Sequence, residues 1–212
     1  MLKEKASDKD LRFWERMAPN YDRHVRRLGK SQEQVIHRLR EQLRDAQRIL
    51  DVGTGTGNIA LALAEVVPVV DAVDPSPLML KAARTKAQAM NIQNVRFSLQ
   101  GAYDLDFPNK TFDAVVLSHV LHIVERPDLA LTEARRVLRE GGLIIAPTYC
   151  HGQNLLARSL SFVARKLLKQ PVYHIFTSQN LTELVRSNGY EPLSCELIPD
   201  KIPVALVVAR SS

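Results

Sequence analysis

Cysteine is nearly missing from this chain. Its 212 residues include only Cys150 and Cys195, too few for a disulfide framework or a four-ligand zinc site. Both are expected to be packing residues, and a reducing cytoplasm suits the chain. No apolar run approaches the roughly 18 to 20 residues that a membrane span needs. The leading stretch MLKEKASDKDLRFWERM is charged throughout and lacks the apolar centre of a signal peptide. No internal repeat, low-complexity stretch or Pro/Gly/Ser-rich linker divides the sequence. The length therefore points to one domain with a full core, or at most one domain plus a small cap. The glycine run at 53–57 is not followed by G-K-S or G-K-T, which excludes a phosphate-loop nucleotide site there.

What is present begins with an uneven charge. The net value is +6, yet residues 1–48 hold 13 basic and 8 acidic side chains, and residues 151–170 hold 4 basic and no acidic ones. Such flanks mark either a surface for phosphate or anionic lipid or, more commonly, a solvated helix face.

The first 45 residues read as helical. Asp8 is placed to cap a helix carrying Leu11, Trp14 and Met17, and Ala18-Pro19-Asn20 interrupts it. Ser31 and Gln34 form a capping-box pattern ahead of Val35, Ile36, Leu39 and Leu43. The rhythm then changes to short apolar runs alternating with helical patterns. RILDV, VVDAVD, VRFSL, FDAVVLS and GLIIAPTY are strands. Helices are expected over 58–67, over 77–90, from Pro127 to Gly141-Gly142, and over 178–188. Strand–helix alternation means parallel strands with right-handed crossovers. PLSCELI and IPVALVVAR close the chain with a short connection, which favours an antiparallel pair. The fold class is α/β, a doubly wound and mostly parallel sheet with helices on both faces.

Such a sheet binds its ligand beyond the carboxyl ends of its strands. Gly53, Gly55 and Gly57 lie there, in ILDVGTGTGNIALALA. A dinucleotide fingerprint fails when read from Gly53, because Asn58 takes the third site, and passes when read from Gly55 with Gly57 and Ala60. Asp51, just before the glycines, would repel a pyrophosphate and attract an ammonium. Asp74 ends the second strand 17 residues after Gly57. It can accept hydrogen bonds from both hydroxyls of a ribose, or merely cap the next helix.

Four motifs in order, D51-V-G-T-G-T-G57, V73-D74-P-S-P-L-M-L80, F107-P-N-K-T-F-D-A-V-V-L-S118 and L138-R-E-G-G142-L, resemble the class I S-adenosylmethionine-dependent methyltransferases. The chain looks most similar to the small-molecule branch typified by ubiquinone/menaquinone-biosynthesis methyltransferases, and A18-P-N-Y-D22 also fits that branch. The resemblance implies a seven-stranded sheet with an antiparallel C-terminal edge pair. It implies one domain over 1–212: a helical cap (1–45), a cofactor-binding core (46–148), a variable lid or substrate segment (149–176), and a C-terminal helix with edge strands (177–212). It also implies S-adenosyl-L-methionine as cofactor. Gly53, Thr54, Gly55 and Gly57 would approach its methionine portion with Asp51 in support. Asp74 would hold the ribose, and Pro75 would lie on the adenine. Ser118 and His119 would approach the amino acid portion through backbone groups. One departure stands out. The acidic or amide residue often found before Ala102 is Gly101 here, leaving the Ala102 amide and Tyr103 or Asp104 to meet the adenine.

Methyl transfer from a sulfonium needs alignment and, for a protonated nucleophile, a base. His122 is the candidate base or substrate ligand, and Tyr21 the candidate residue closing over the methyl. His151, Tyr149, Tyr173 and His174 are placed to line an acceptor pocket, with surface or core roles the simpler alternative. No metal is expected. Over 154–168, Leu156, Leu160, Val163 and Leu167 fall within about 60° of one another on a helix, opposite Arg158, Arg165 and Lys169. This is a lid over the acceptor, or a peripheral membrane contact through residues 154–169. The function expected is methylation of a small, partly hydrophobic metabolite. The alternatives are a phospholipid-headgroup N-methyltransferase, an RNA methyltransferase and a non-catalytic cofactor-binding protein. Nucleic acid is disfavoured because no aromatic-interleaved basic strand set exists and the fourth strand exits as L-S-H-V, not N-P-P-Y.

Overall fold

The computed structural model describes residues 7–155, 157–159, 162, 166 and 170–211. Seven strands form one sheet: β1 (Arg48–Val52), β2 (Val69–Asp74), β3 (Val95–Leu99), β4 (Phe112–Val116), β5 (Leu138–Tyr149), β6 (Tyr190–Ile198) and β7 (Val204–Ser211). Their order is β3-β2-β1-β4-β5-β7-β6. The pairs from β3 through β5 are parallel. β7 pairs antiparallel with both β5 and β6, so it is the reversed strand and β6 forms the edge. This is the α/β sheet expected from the alternating pattern. Strand order reverses between β1 and β4, and the ligand crevice of a doubly wound sheet opens there.

The central strands β1, β2 and β4 bury both faces, as parallel strands under crossover helices must. Leu50, Val52, Val115 and Ile144 face one core, packed with Leu131, Ala134 and Val137 of α6 (Pro127–Val137) and with Leu181 and Val185 of α7 (Ser178–Ser187). Ile49, Ala114, Val116 and Ile145 face the other. They meet Val35, Leu39 and Leu43 of α3 (Ser31–Leu43) and Ile59, Ala60 and Leu63 of α4 (Asn58–Leu63). α5 (Pro77–Ala89) follows β2; Ser76 accepts from the Met79 N–H and Pro77 sits in its first turn, where no donor is lost.

Several boundaries differ from the sequence reading. α1 (Asp8–Met17) is capped by Ser7, whose hydroxyl accepts from the Asp10 N–H, and Asp8 becomes the first helical residue. Ala18–Asn20 form a single 3₁₀ turn, and α2 (Tyr21–Leu28) follows. The Ser31/Gln34 capping box does not form. Lys30 is the N-cap, and the Ser31 N–H donates instead to Asp200 at 2.8 Å, a partner 169 residues away. α4 ends at Leu63, four residues short of Val67. α6 ends at Val137, not at Gly141-Gly142, and β5 begins at Leu138. The pairing slips between Phe112 and Ala114 of β4, and Gly141 at φ 70° lies in the extra loop of β5. The glycines thus accommodate a strand bulge rather than a helix end.

Candidate active site

Three glycines leave β1 in the left-handed region, at φ 69° for Gly53, 56° for Gly55 and 81° for Gly57. A side chain at Gly53 would place its Cβ 2.5 Å from Val120 Cγ2. The loop is fixed by carboxylates. The Thr54 hydroxyl donates to Asp51 Oδ2 at 2.7 Å, and the Gly55 N–H donates to Asp74 Oδ2 at 2.8 Å. Asp74 Oδ1 accepts from the Ser76 N–H at 2.9 Å, so one carboxylate ties the end of β2 to the glycine loop. Each of its oxygens retains a second lone pair.

Both acids are buried, and burial pushes Asp51 up to about 7 and Asp74 up to about 6. Asp51 Oδ1 has no hydrogen-bond partner. A free carboxylate oxygen in a dry site is costly unless a cation or donor reaches it. That observation favours an ammonium over a pyrophosphate beside this loop, because an ionised Asp51 and a second anion would share a low-dielectric space.

The crevice opens into one cavity of about 530 Å³, lined by Gly53, Gly55, Asp74, Pro75, Met79, Gly101, Ala102, Tyr103, Ser118, His119, Val120, His122, Tyr149 and Tyr21. Asp51, Thr54 and Gly57 stand behind this wall. The cavity continues under the cap, where Leu11, Phe13, Trp14 and Met17 of α1 supply an apolar end. Phe13 and Trp14 meet edge to face at 4.9 Å, and Trp14 meets Tyr21 at 6.4 Å. A Cβ on Gly55 would lie 3.8 Å from Tyr21 Cε1, so the phenol covers the glycine loop. Burial of the hydroxyl, reinforced by Asp74, Asp22 and Asp51, holds the Tyr21 phenol well above its ordinary value, so it remains a proton donor. Asp22 accepts from Thr56, Asn58 and Lys86. Burial alone would raise this carboxyl, but those bonds bring it below the usual value.

A family profile described as a methyltransferase domain matches residues 50–146. The match spans the strands and loops that build this cradle. Residues 50–146, just under half of the chain, are thus similar to a methyltransferase domain. The demethylmenaquinone methyltransferase of Tropheryma whipplei is 29% identical over 156 residues, which are 74% of this chain and 59% of that protein. The chain thus spans about three-fifths of the length of that curated relative. Among solved structures, a possible histamine N-methyltransferase from Thermotoga maritima aligns with a TM-score of 0.76 at 21% identity, covering 95% of this chain and 99% of that one. The N-methyltransferase NodS from Bradyrhizobium japonicum, solved with S-adenosyl-l-homocysteine, aligns at 0.75 and 14% identity over 96% and 99%. These two likenesses show the fold.

S-adenosylmethionine, the cofactor that the motifs imply, would meet this cradle at two points. Asp51 Oδ1 is the orphaned acceptor that an ammonium group would satisfy, and Asp74 holds free lone pairs at the strand end where a ribose diol would sit. The adenine end departs from the motif as the sequence indicated. Nothing lies within 4 Å of a Cβ built on Gly101. The Tyr103 hydroxyl accepts from the Arg126 N–H at 3.1 Å, so that hydroxyl is held toward Arg126. Asp104 is exposed and does not line the cavity.

The histidines form a wall. His119 stacks on Tyr149 at 4.1 Å, and His122 meets Tyr149 edge-on at 5.7 Å. The His119 backbone N–H, expected to be available to a ligand, donates to Pro147 O at 2.7 Å; its carbonyl and ring remain. His119 Nδ1, His122 Nδ1 and the Ser118 hydroxyl have no protein partner. Burial first, then the neighbouring histidines, lowers His119 to about 4 and drives His122 well below its ordinary value. Both imidazoles are neutral at pH 7.

Other expected pocket residues sit elsewhere. His151 is buried behind His122 at 5.3 Å between ring centres. Tyr173 and His174 brace the wall from outside, donating their N–H groups to His122 O at 2.9 and 3.2 Å. The Tyr173 hydroxyl donates to Asp10 at 2.7 Å. Cys150 is buried in the core, and burial pushes its thiol up to about 11; Cys195 is exposed on β6, so only the first is a packing residue. The apolar stripe Leu156, Leu160, Val163 and Leu167, with Arg165 and Lys169, lies outside the described residues. Sequence reasoning missed Met79, Val120 and the cavity face of α1. The stripe Leu11, Trp14, Met17 was legible, but nothing local said that it covers a ligand rather than another helix. Among the described residues, no helix is long and apolar enough to cross a membrane and no His/Cys/Asp/Glu group could hold a metal.

Proposed function

We propose that this protein transfers a methyl group from S-adenosylmethionine to a small, partly hydrophobic metabolite. The observation that carries the reading is the continuity of one cavity from the carboxylate-held glycine loop to the apolar underside of α1. A cofactor and an acceptor placed there share a space that excludes water, as an in-line displacement requires. S-adenosylmethionine supplies the electrophilic methyl on a sulfonium. The chain supplies position and desolvation. Asp51 and Asp74 hold opposite ends of the donor, with Gly53, Thr54, Gly55 and Gly57 shaping the loop between them. Pro75, Ala102 and Tyr103 flank the adenine, and Ser118 and His119 flank the amino acid portion.

His122 acts on the acceptor through its neutral ring. It offers a hydrogen-bond acceptor to a hydroxyl or amine proton, while Tyr21 donates from the opposite side. With its affinity for protons lowered by burial, His122 orients the nucleophile more readily than it stores a proton. Demethylmenaquinone methylation by the Tropheryma whipplei relative suggests a ring-bearing acceptor, which the aromatic and apolar lining of α1 would accept. Two free cysteines suit a reducing compartment such as the cytoplasm.

The test is direct. Purified protein with isotopically labelled S-adenosylmethionine is offered a panel of quinol, phenol and amine acceptors, anionic-lipid vesicles containing phosphatidylethanolamine, and RNA. Labelled product from a small ring-bearing acceptor supports the reading. Label appearing only in lipid or RNA overturns it, and so does donor binding with no product from any member of the panel.

A further inference from the structure

Three consecutive residues of the glycine loop each engage a different carboxylate. Thr54 donates to Asp51 and the Gly55 N–H to Asp74, both on strands of the sheet. The Thr56 hydroxyl donates to Asp22 Oδ1 at 2.6 Å, and Asp22 belongs to the helical cap. The same oxygen accepts from Asn58 Nδ2 at 3.0 Å, at the first residue of α4. Asp22 Oδ2 pairs with Lys86 Nζ of α5 at 2.9 Å, and Lys86 reaches Asn58 Oδ1 at 2.5 Å. One side chain of α2 therefore holds the loop, the start of α4 and the face of α5. Asp22 and Lys86 are 31% and 28% exposed, which shields the pair from the full screening of an open surface.

Tyr21 precedes Asp22 on the same helix, and its ring stands over Gly55. Successive side chains on a helix diverge by about 100°. Anchoring Asp22 on Thr56 and Lys86 therefore sets the rotation of α2 and aims Tyr21 at the loop. A ligand lying on the glycine loop, beneath Tyr21 and the cap, is covered while these bonds hold.

We infer that Asp22 is a positioning residue that latches the cap onto the donor cradle, holding Tyr21 over Gly55 and setting the rate at which the donor leaves. This inference rests on the reading of the cavity as a site for S-adenosylmethionine, but Asp22 itself lies outside the cavity wall. Opening the cap breaks two hydrogen bonds to a carboxylate and one ion pair before any donor contact is lost. A variant without them opens more often. Exchange of the donor accelerates in both directions, so the dissociation rate changes more than the equilibrium affinity does.

Trp14 reports the event, because it is the only tryptophan and sits in the cap beside Tyr21. Stopped-flow fluorescence with S-adenosylhomocysteine is compared for the whole protein and for Asp22→Asn, Lys86→Met and Lys86→Arg. Asp22→Asn should speed dissociation by about tenfold or more, the scale of one lost charge-assisted hydrogen bond. Acrylamide should quench Trp14 more strongly in that variant, while its circular-dichroism spectrum remains that of the folded parent. Lys86→Met should shift both readouts in the same direction, and Lys86→Arg, which keeps the charge, should restore them.

Dissociation within about twofold of the parent, with unaltered Trp14 quenching, overturns the latch. If Asp22→Asn does not fold, Lys86→Met and Thr56→Val are judged by the same criteria. If the parent protein binds no S-adenosylhomocysteine, the donor reading fails. The latch is then decided by acrylamide quenching of Trp14 in Asp22→Asn against the parent, where equal quenching overturns it.

Discussion

Donor affinity should fall steeply with acidification, because two buried acids must both be ionised to hold it. Asp51 is raised to about 7 and Asp74 to about 6, in each case chiefly by burial. Treated as independent sites, the two acids are both ionised in about 0.9 of molecules at pH 8 and about 0.05 at pH 6. Affinity should therefore drop about twentyfold over that interval, or about 1.8 kcal/mol. Below pH 6 the slope approaches about two decades per pH unit, because both protons must then be displaced. Calorimetric titration with S-adenosylhomocysteine at pH 5 to 8, corrected for the ligand's own separately measured titration, reads the slope. Two buffers of different ionisation enthalpy at pH 6.5 should report net proton release. The sign for stability is opposite. A carboxyl raised on folding stabilises the ligand-free protein fully below its unfolded value near 3.8 and loses that contribution as pH rises through 6 to 7. The ligand-free protein should gain from these two groups on mild acidification while the donor-bound form does not. An affinity constant from pH 8 to 5 would refute the assignment of both acids to the donor, and a single-decade slope would remove one of them. Asp51→Asn and Asp74→Asn each should bind weakly and show a shallower slope than the parent.

Further outcomes follow from individual contacts. Asp74→Ala should weaken donor binding by about 1–3 kcal/mol, as loss of a charged hydrogen-bonding partner does; unchanged calorimetric affinity would remove Asp74 from the site. Gly53→Ala should abolish donor binding and lower the melting temperature, since its Cβ would meet Val120 Cγ2 at 2.5 Å on a left-handed backbone, whereas Gly101→Ala should bind normally because its Cβ meets open space. His122→Ala should lower kcat more than donor affinity. Because burial holds His122 well below its ordinary value, the parent rate should show no inflection near pH 6.5, and such an inflection that disappears in His122→Ala would restore the general-base role.

Much of the fold was legible locally. β-strand runs such as VVDAVD place valine on both faces and are buried on both, which suits a parallel strand under helices. Asp51, the three glycines and Asp74 lie close in sequence, so the loop and the two acids that hold it could be located before folding, while their assignment to a donor came from the resemblance. Local rules failed where a distant partner replaced a near one. Ser31 shows this most simply, since its helix-start N–H is satisfied by Asp200 rather than by its own turn. Gly141 and Gly142 read as a helix stop because glycine permits several conformations, and only pairing against β4 selects the bulge.

The sequence by itself determined the glycine loop and its acids: a left-handed backbone turn, an acid inside it and another ending the next strand, each dictated by residue type and spacing. Tertiary structure alone decided what faces that loop. It set Tyr21 over Gly55, bound Asp22 to Thr56 and Lys86, turned the face of α1 into a cavity wall and stacked His119 on Tyr149. The physical reason is range. Dihedral preference and hydrophobic period act over a few residues, whereas these contacts join elements 30 to 64 residues apart and exist only once both cores have packed.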